Sequence, residues 1–233
     1  MLCTLKVLAV VFVIILLLSV TASAQQTSQQ YVGRYDAFTG FSYFATPTIN
    51  LYQRGFNGEF GVNVRRWVAL GGDFAVVKGS SSLVPNELNS KLGAQLAPVL
   101  AVLPPGYNLY VPFDSTTYTY SAGPQINIRK WKPVMFFVRP ALGAMHQVVT
   151  ARPIDGIQTA VVGSLVPGGV KRDTVPFYGV GWGWDVRVKD HFALRFGFDY
   201  VHTKLFENML KKGQNTIRMS VGPTFRWGEN VER

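Results

Sequence analysis

The sequence holds a single cysteine, Cys3, at its extreme N-terminus. Neither a disulfide framework nor a cysteine-ligated zinc site can be built from it. Charge is also scarce: charged residues make up 15% of the chain, against roughly 25% in an average soluble domain. Acidic residues are the rarer kind, 13 against 23 Lys and Arg, for a net charge of +10. The basic residues are scattered, which argues against a nucleic-acid surface. The three histidines, His146, His191 and His202, stand too far apart to suggest a zinc motif. Missing too is an apolar run of the roughly 20 residues a spanning helix needs. Aromatics, at 13%, and 23 glycines are plentiful. Glycine without a three-residue period excludes collagen, and so much apolar content excludes a disordered chain. The balance suits a chain whose solvent is partly not water.

Lys6, the apolar run 7–20 and Ala22-Ser23-Ala24 before Gln25 read as a secretory signal peptide over residues 1–24. Residues 25–34 read as a flexible polar lead, residues 35–227 as one folded unit, and residues 228–233 as a short tail.

Within 35–227 the recurring signal is alternation with period two, the strand signature. Eight segments carry it: 35–45, 56–64, 68–76, 117–129, 134–148, 175–188, 192–202 and 215–227. In 175–188, for example, Tyr178, Val180, Trp182, Trp184, Val186 and Val188 alternate with Gly179, Gly181, Gly183, Asp185 and Arg187. Every charge in the eight segments falls on the small, polar face. The first segment is the least clean, because Phe38 and Phe44 intrude on that face. Short basic turns (65–67, 130–133, 189–191) alternate with longer loops (46–55, 78–116, 149–172, 203–214). That asymmetry is the pattern of an outer-membrane barrel with short periplasmic turns and long outer loops. In the longest loop Leu88, Leu92 and Leu96 recur every four residues before Pro98, which predicts a short helix after Pro85.

Alternation alone does not separate a soluble barrel from a membrane barrel, whose faces are inverted. Side-chain size decides. An eight-stranded barrel has an interior just wide enough for side chains to fill it, too small for Trp182, Trp184, Phe196, Phe198, Tyr200, Phe225 and Trp227 together. The small face therefore points inward and the aromatic face outward, where it needs lipid. The expected fold is all-β: an antiparallel, up-and-down, eight-stranded transmembrane β-barrel.

The closing segment, Ile217-Arg218-Met219-Ser220-Val221-Gly222-Pro223-Thr224-Phe225-Arg226-Trp227, together with this architecture, resembles the outer-membrane barrels of the outer membrane protein A type. The resemblance implies a Gram-negative outer membrane, contact with its lipids, and a C-terminal assembly signal at Phe225 and Trp227. That signal would be read by the barrel-assembly machinery.

The inward charges are the candidate functional residues: Glu59, Asp73, Arg139, Asp185, Arg195, Asp199 and Arg218. Buried charges are tolerated only when paired. Asp199 and Arg218 are equidistant from the last long loop and should face each other. Arg139, Asp185 and Arg195 should lie at similar depth as one cluster. The glycines of Gly179-Val180-Gly181-Trp182-Gly183 precede no helix, so they are a packing device and not a nucleotide fingerprint. No catalytic, metal or cofactor set emerges. The expected function is structural support or surface interaction through the long loops, with weak small-solute diffusion at most. A lipid-modifying enzyme and a small diffusion pore are the alternatives.

Overall fold

A lone alternating strand leaves both edges unpaired, and here every edge is used. The computed structural model describes residues 31–211 and 213–231, so the signal-peptide reading and residues 25–30 lie outside the described residues. Eight strands run β1 (Gly33–Thr46), β2 (Leu51–Arg65), β3 (Val68–Leu83), β4 (Val111–Ile128), β5 (Val134–Ala151), β6 (Val170–Lys189), β7 (Phe192–Thr203) and β8 (Gln214–Asn230). Each pairs with the next in order, and β8 closes antiparallel on β1. Closure leaves the sheet no open edge, the condition for crossing lipid without helices.

The faces divide as the side-chain sizes require. Phe56, Phe60, Leu70, Tyr120, Trp182, Tyr200, Phe225 and Trp227 are exposed around the outside of the wall. Asp36, Glu59, Asp73, Asp185, Arg195, Asp199 and Arg218 are buried inside it. A water-soluble barrel would show the reverse.

Three features depart from the sequence reading. The strands are longer at the outer end: β3 and β4 pair through Leu83↔Val111, and β5 and β6 through Thr150↔Val170. Segments such as Gly79-Ser80-Ser81-Ser82 carry no apolar alternation, yet backbone pairing continues through them. The longest loop thereby shrinks to 84–110 and the first to 47–50. At the other end Gly33 and Arg34 join β1, and Gly228, Glu229 and Asn230 join β8. Lengthening also puts charge on the outward face, at Arg54, Lys78, Asp114 and Arg172, all beyond the segments first read as strands. Lastly, the lumen holds five phenylalanines, Phe38, Phe44, Phe113, Phe137 and Phe177. Inward glycines make the room: a methyl group at Gly183 would strike the Phe137 ring.

Two helices cap the outer mouth. The foreseen one, α1 (Ser90–Ala101), starts where the Asn89 side chain accepts from the Leu92 amide at 2.9 Å. Pro98 lies inside α1 instead of ending it. A second helix, α2 (Gly156–Leu165), was not legible, since its apolar residues make no stripe. The Asp155 side chain caps it, accepting from the Gln158 amide at 2.7 Å and from the Tyr107 hydroxyl at 2.5 Å. Leu88, Leu96, Leu109 and Val161 are buried where the helical loops meet. Packing, not local pattern, holds α2 in place.

Candidate functional site in the barrel lumen

Strand register decides which inward charges meet. Asp185 of β6 lies opposite Arg195 of β7, and Asp199 of β7 opposite Arg218 of β8. Asp185 takes Arg195 in a bidentate pair, with Nε and Nη2 donating at 2.8 and 3.0 Å. Its Oδ2 also accepts from Arg226. Across the lumen, Arg195 Nη1 donates to Glu59 of β2 at 2.7 Å, and Arg139 Nη2 donates to the other Glu59 oxygen at 3.0 Å. Arg139 Nε reaches Asp199 at 3.3 Å. Arg218 Nη2 lies 3.4 Å from Asp199 and donates to Asp73 of β3 at 2.9 Å.

These contacts form one chain of alternating sign: Arg226, Asp185, Arg195, Glu59, Arg139, Asp199, Arg218, Asp73. Asp36 of β1 branches from Arg195 at 3.6 Å. β4 joins through Ser121, whose hydroxyl donates to Asp73. Every strand of the wall therefore ties into a single buried network.

The expected grouping is partly redrawn. Asp199 and Arg218 do face each other. Arg139, however, lies opposite Gly181, while Asp185 lies opposite Met135. Arg139 thus reaches Glu59 and Asp199 instead of Asp185, and Glu59 is the link between the two arginines. Gly181 is needed there, because a methyl group would collide with the Asp199 carboxylate. Asp36 and Arg226, not singled out beforehand, belong to the chain. Their signal was their inward parity, the same that marked the others.

Aromatic rings pack the arginines where carboxylates do not. Arg195 lies 5.0 Å from the Phe137 centroid and 5.8 Å from Phe38, and Arg218 lies 5.3 Å from Phe44 and 5.6 Å from Phe177. The two phenylalanines that intruded on the polar face of the first segment are therefore arginine partners. Beside Asp36, Glu59 and Arg139 a polar gap of about 30 Å³ remains, room for a water molecule or two.

Above this network the lumen changes character. Gln53, Ser115, Thr117 and Gln147 bond to one another across it at 2.6 to 3.1 Å. Beyond them Ile49, Leu51, Phe113, Met145, Phe177, Leu205, Phe206 and Leu210 form an apolar stopper. The histidines take no part: His146 pairs with Thr174 at 2.6 Å, His202 with Asn215 at 2.7 Å, and His191 with the Arg226 carbonyl at 2.9 Å. Among the described residues no three metal-ligating side chains converge.

The sequence matches the outer membrane protein beta-barrel domain family over residues 10–225. The chain belongs to that family. It is an outer-membrane β-barrel protein of the Gram-negative type, with the long loops on the outer side. No curated protein matches the sequence. Among solved structures, Neisserial surface protein A aligns with a TM-score of 0.50 at 12% identity, over 83% of this chain and 96% of that one. OprG from Pseudomonas aeruginosa aligns with a TM-score of 0.49 at 8% identity, over 86% and 98%. Ail, the attachment invasion locus protein of Yersinia pestis, aligns with a TM-score of 0.46 at 14% identity, over 84% and 99%. At such identities the likeness extends to the fold alone.

Proposed function

We propose that this outer-membrane barrel is a closed, non-enzymatic scaffold that supports the membrane and presents its helical outer cap for surface interaction, with at most weak diffusion through the lumen. The unbroken ion chain across the lumen carries this reading. Four arginines and five carboxylates, counting Asp36, fill the cross-section at the depth where a pore would need water. Buried charges held by partners on several strands are costly to part, because each separation leaves one uncompensated. The apolar stopper adds a second closure on the outer side.

Phe225 and Trp227, outward on the closing strand and half exposed, serve in this reading as the assembly signal.

Planar-bilayer recording tests the closure. Wild-type protein should conduct little, with small or rare openings, and Asp185→Ala should conduct more. Large, steady wild-type channels that Asp185→Ala leaves unchanged would make the protein a diffusion pore instead.

A further inference from the structure

Two of the outward charges, Arg54 and Lys78, lie at a specific height. On β2 the outward positions from the periplasmic end are Val64, Val62, Phe60, Gly58 and Phe56, and the next is Arg54. On β3 they are Val68, Leu70, Gly72, Phe74 and Val76, and the next is Lys78. From position 64 to 54 a strand tilted by about 40° climbs roughly 26 Å, close to the apolar band of about 25 Å. Both cations therefore stand where hydrocarbon gives way to the outer head groups.

They also stand side by side. Arg54 and Lys78 are direct cross-strand partners, which places their Cβ atoms about 5 Å apart. Like charges in that position repel. Both side chains are exposed, and neither has an ion pair or hydrogen bond among the described residues. The nearest acid on the neighbouring strand's outward face, Asp114, lies two residues beyond the Thr116 that faces Lys78, and it is paired with Arg152. Tyr43 lies opposite Arg54 on β1 and stacks on Tyr52 at 6.3 Å between ring centroids, an interfacial aromatic pair bordering the cations.

We propose that Arg54 and Lys78 together bind one phosphate group of a phosphorylated outer-leaflet lipid. An anion between them turns a repulsive pair into two charge-assisted contacts, and the guanidinium supplies a fork that matches phosphate oxygens. The flanking tyrosines settle the sugar or glycerol portion at the interface, while Phe56, Phe74 and Val76 meet the acyl chains. The site lies on the outside of the wall, so it is independent of whether the lumen conducts.

The test uses protein purified from outer membranes and placed in phosphatidylcholine nanodiscs doped with bisphosphorylated lipid A or with its dephosphorylated form. Lipid retained by the protein after exchange is then counted by native mass spectrometry. Wild-type protein should retain the phosphorylated lipid preferentially. Basic residues near an anionic surface contribute roughly fivefold each. R54Q and K78Q should therefore each weaken retention about fivefold and R54Q/K78Q about 30-fold, while K78R keeps it. Heat-modifiable gel mobility checks that each variant is folded; if the double variant is not, the single variants decide. Equal retention of the two lipid A forms, or no loss in the variants, would overturn the proposal. Displacement of the lipid by millimolar inorganic phosphate would also overturn it, by making the free ion the occupant.

Discussion

The middle of the lumen and its outer mouth are both filled with side chains, but of opposite kinds. In the middle, charge meets charge across the barrel, and each ion is held by partners from other strands. At the mouth, Ile49, Phe113, Leu205, Phe206 and Leu210 meet through apolar contact, supplied largely by loops. An ion network is specific and intolerant, because a missing partner leaves a charge that water can only partly reach. An apolar cap is forgiving, because its members can shift and still exclude water. The first binds the wall into one unit; the second can loosen without the wall noticing.

Breaking the ionic half should have the largest effect. Asp185→Ala removes the one ion pair that Arg226 makes among the described residues and the bidentate partner of Arg195. An uncompensated buried charge costs roughly 3–5 kcal/mol, which should appear as a lower urea or heat midpoint for loss of the folded gel band. Arg195→Ala should do less harm. Of the carboxylates it strands, Asp185 keeps Arg226, Glu59 keeps Arg139 and Asp36 keeps the Asn63 side-chain amide at 3.2 Å, and an acid can also shed its charge by taking a proton, which arginine does not. A larger loss in Arg195→Ala would show that Arg195 is the true centre of the network.

The wall itself offers the next contrast. Phe198 packs between Trp182 and Trp184 on the lipid side, at 6.3 and 5.6 Å. Phe198→Arg should cost about 2–4 kcal/mol, as charge does near the bilayer midplane of a barrel. Gly197→Ser, one residue away and inward, meets only the Ser220 hydroxyl, which can rotate aside. The same denaturation measurement should rank it well below Phe198→Arg. The reverse order would mean the two faces are inverted.

The outer mouth should respond locally. Leu210→Ala takes an apolar side chain from the stopper, and residues 204–211 should open more often while the barrel midpoint stays nearly unchanged. Hydrogen exchange read segment by segment distinguishes this from a global loss. Equal acceleration in β7 and β8 would show that stopper and wall unfold together.

The smallest effect belongs to α2. The Gln158 amide, followed by the Tyr107 hydroxyl, holds the Asp155 carboxyl below its usual range. A depressed carboxylate contributes stability above its unfolded value of about 3.9, and that contribution is lost as pH falls through the lower folded value. The α2 anchor should therefore be intact at neutral pH and weaken in acid, below about pH 4. Asp155→Asn should remove the acid dependence of protease cleavage in 152–169 without altering the wall. Cleavage that still changes with acid in that variant would assign the dependence to another group.

Alternation in eight segments was enough to determine strand number, the antiparallel wall and which face meets lipid, because side chains of one parity share one environment along a strand. The inward charges were legible by the same rule, and so was the Asp199–Arg218 pair, through equal distance from a hairpin loop. The outer strand extensions carried no such mark, since beyond the bilayer the outward positions meet water and turn polar, as at Arg54, Lys78 and Asp114, and the apolar alternation ends while backbone pairing continues. Phe38 and Phe44 had the inward parity already, but the reason a ring is at home there was hidden, because it is the arginines brought over them by other strands. Only the closed barrel decided that Arg139 meets Glu59 and not Asp185. Contacts across the lumen depend on register and closure, which set distances between residues far apart in the chain and which no local pattern encodes.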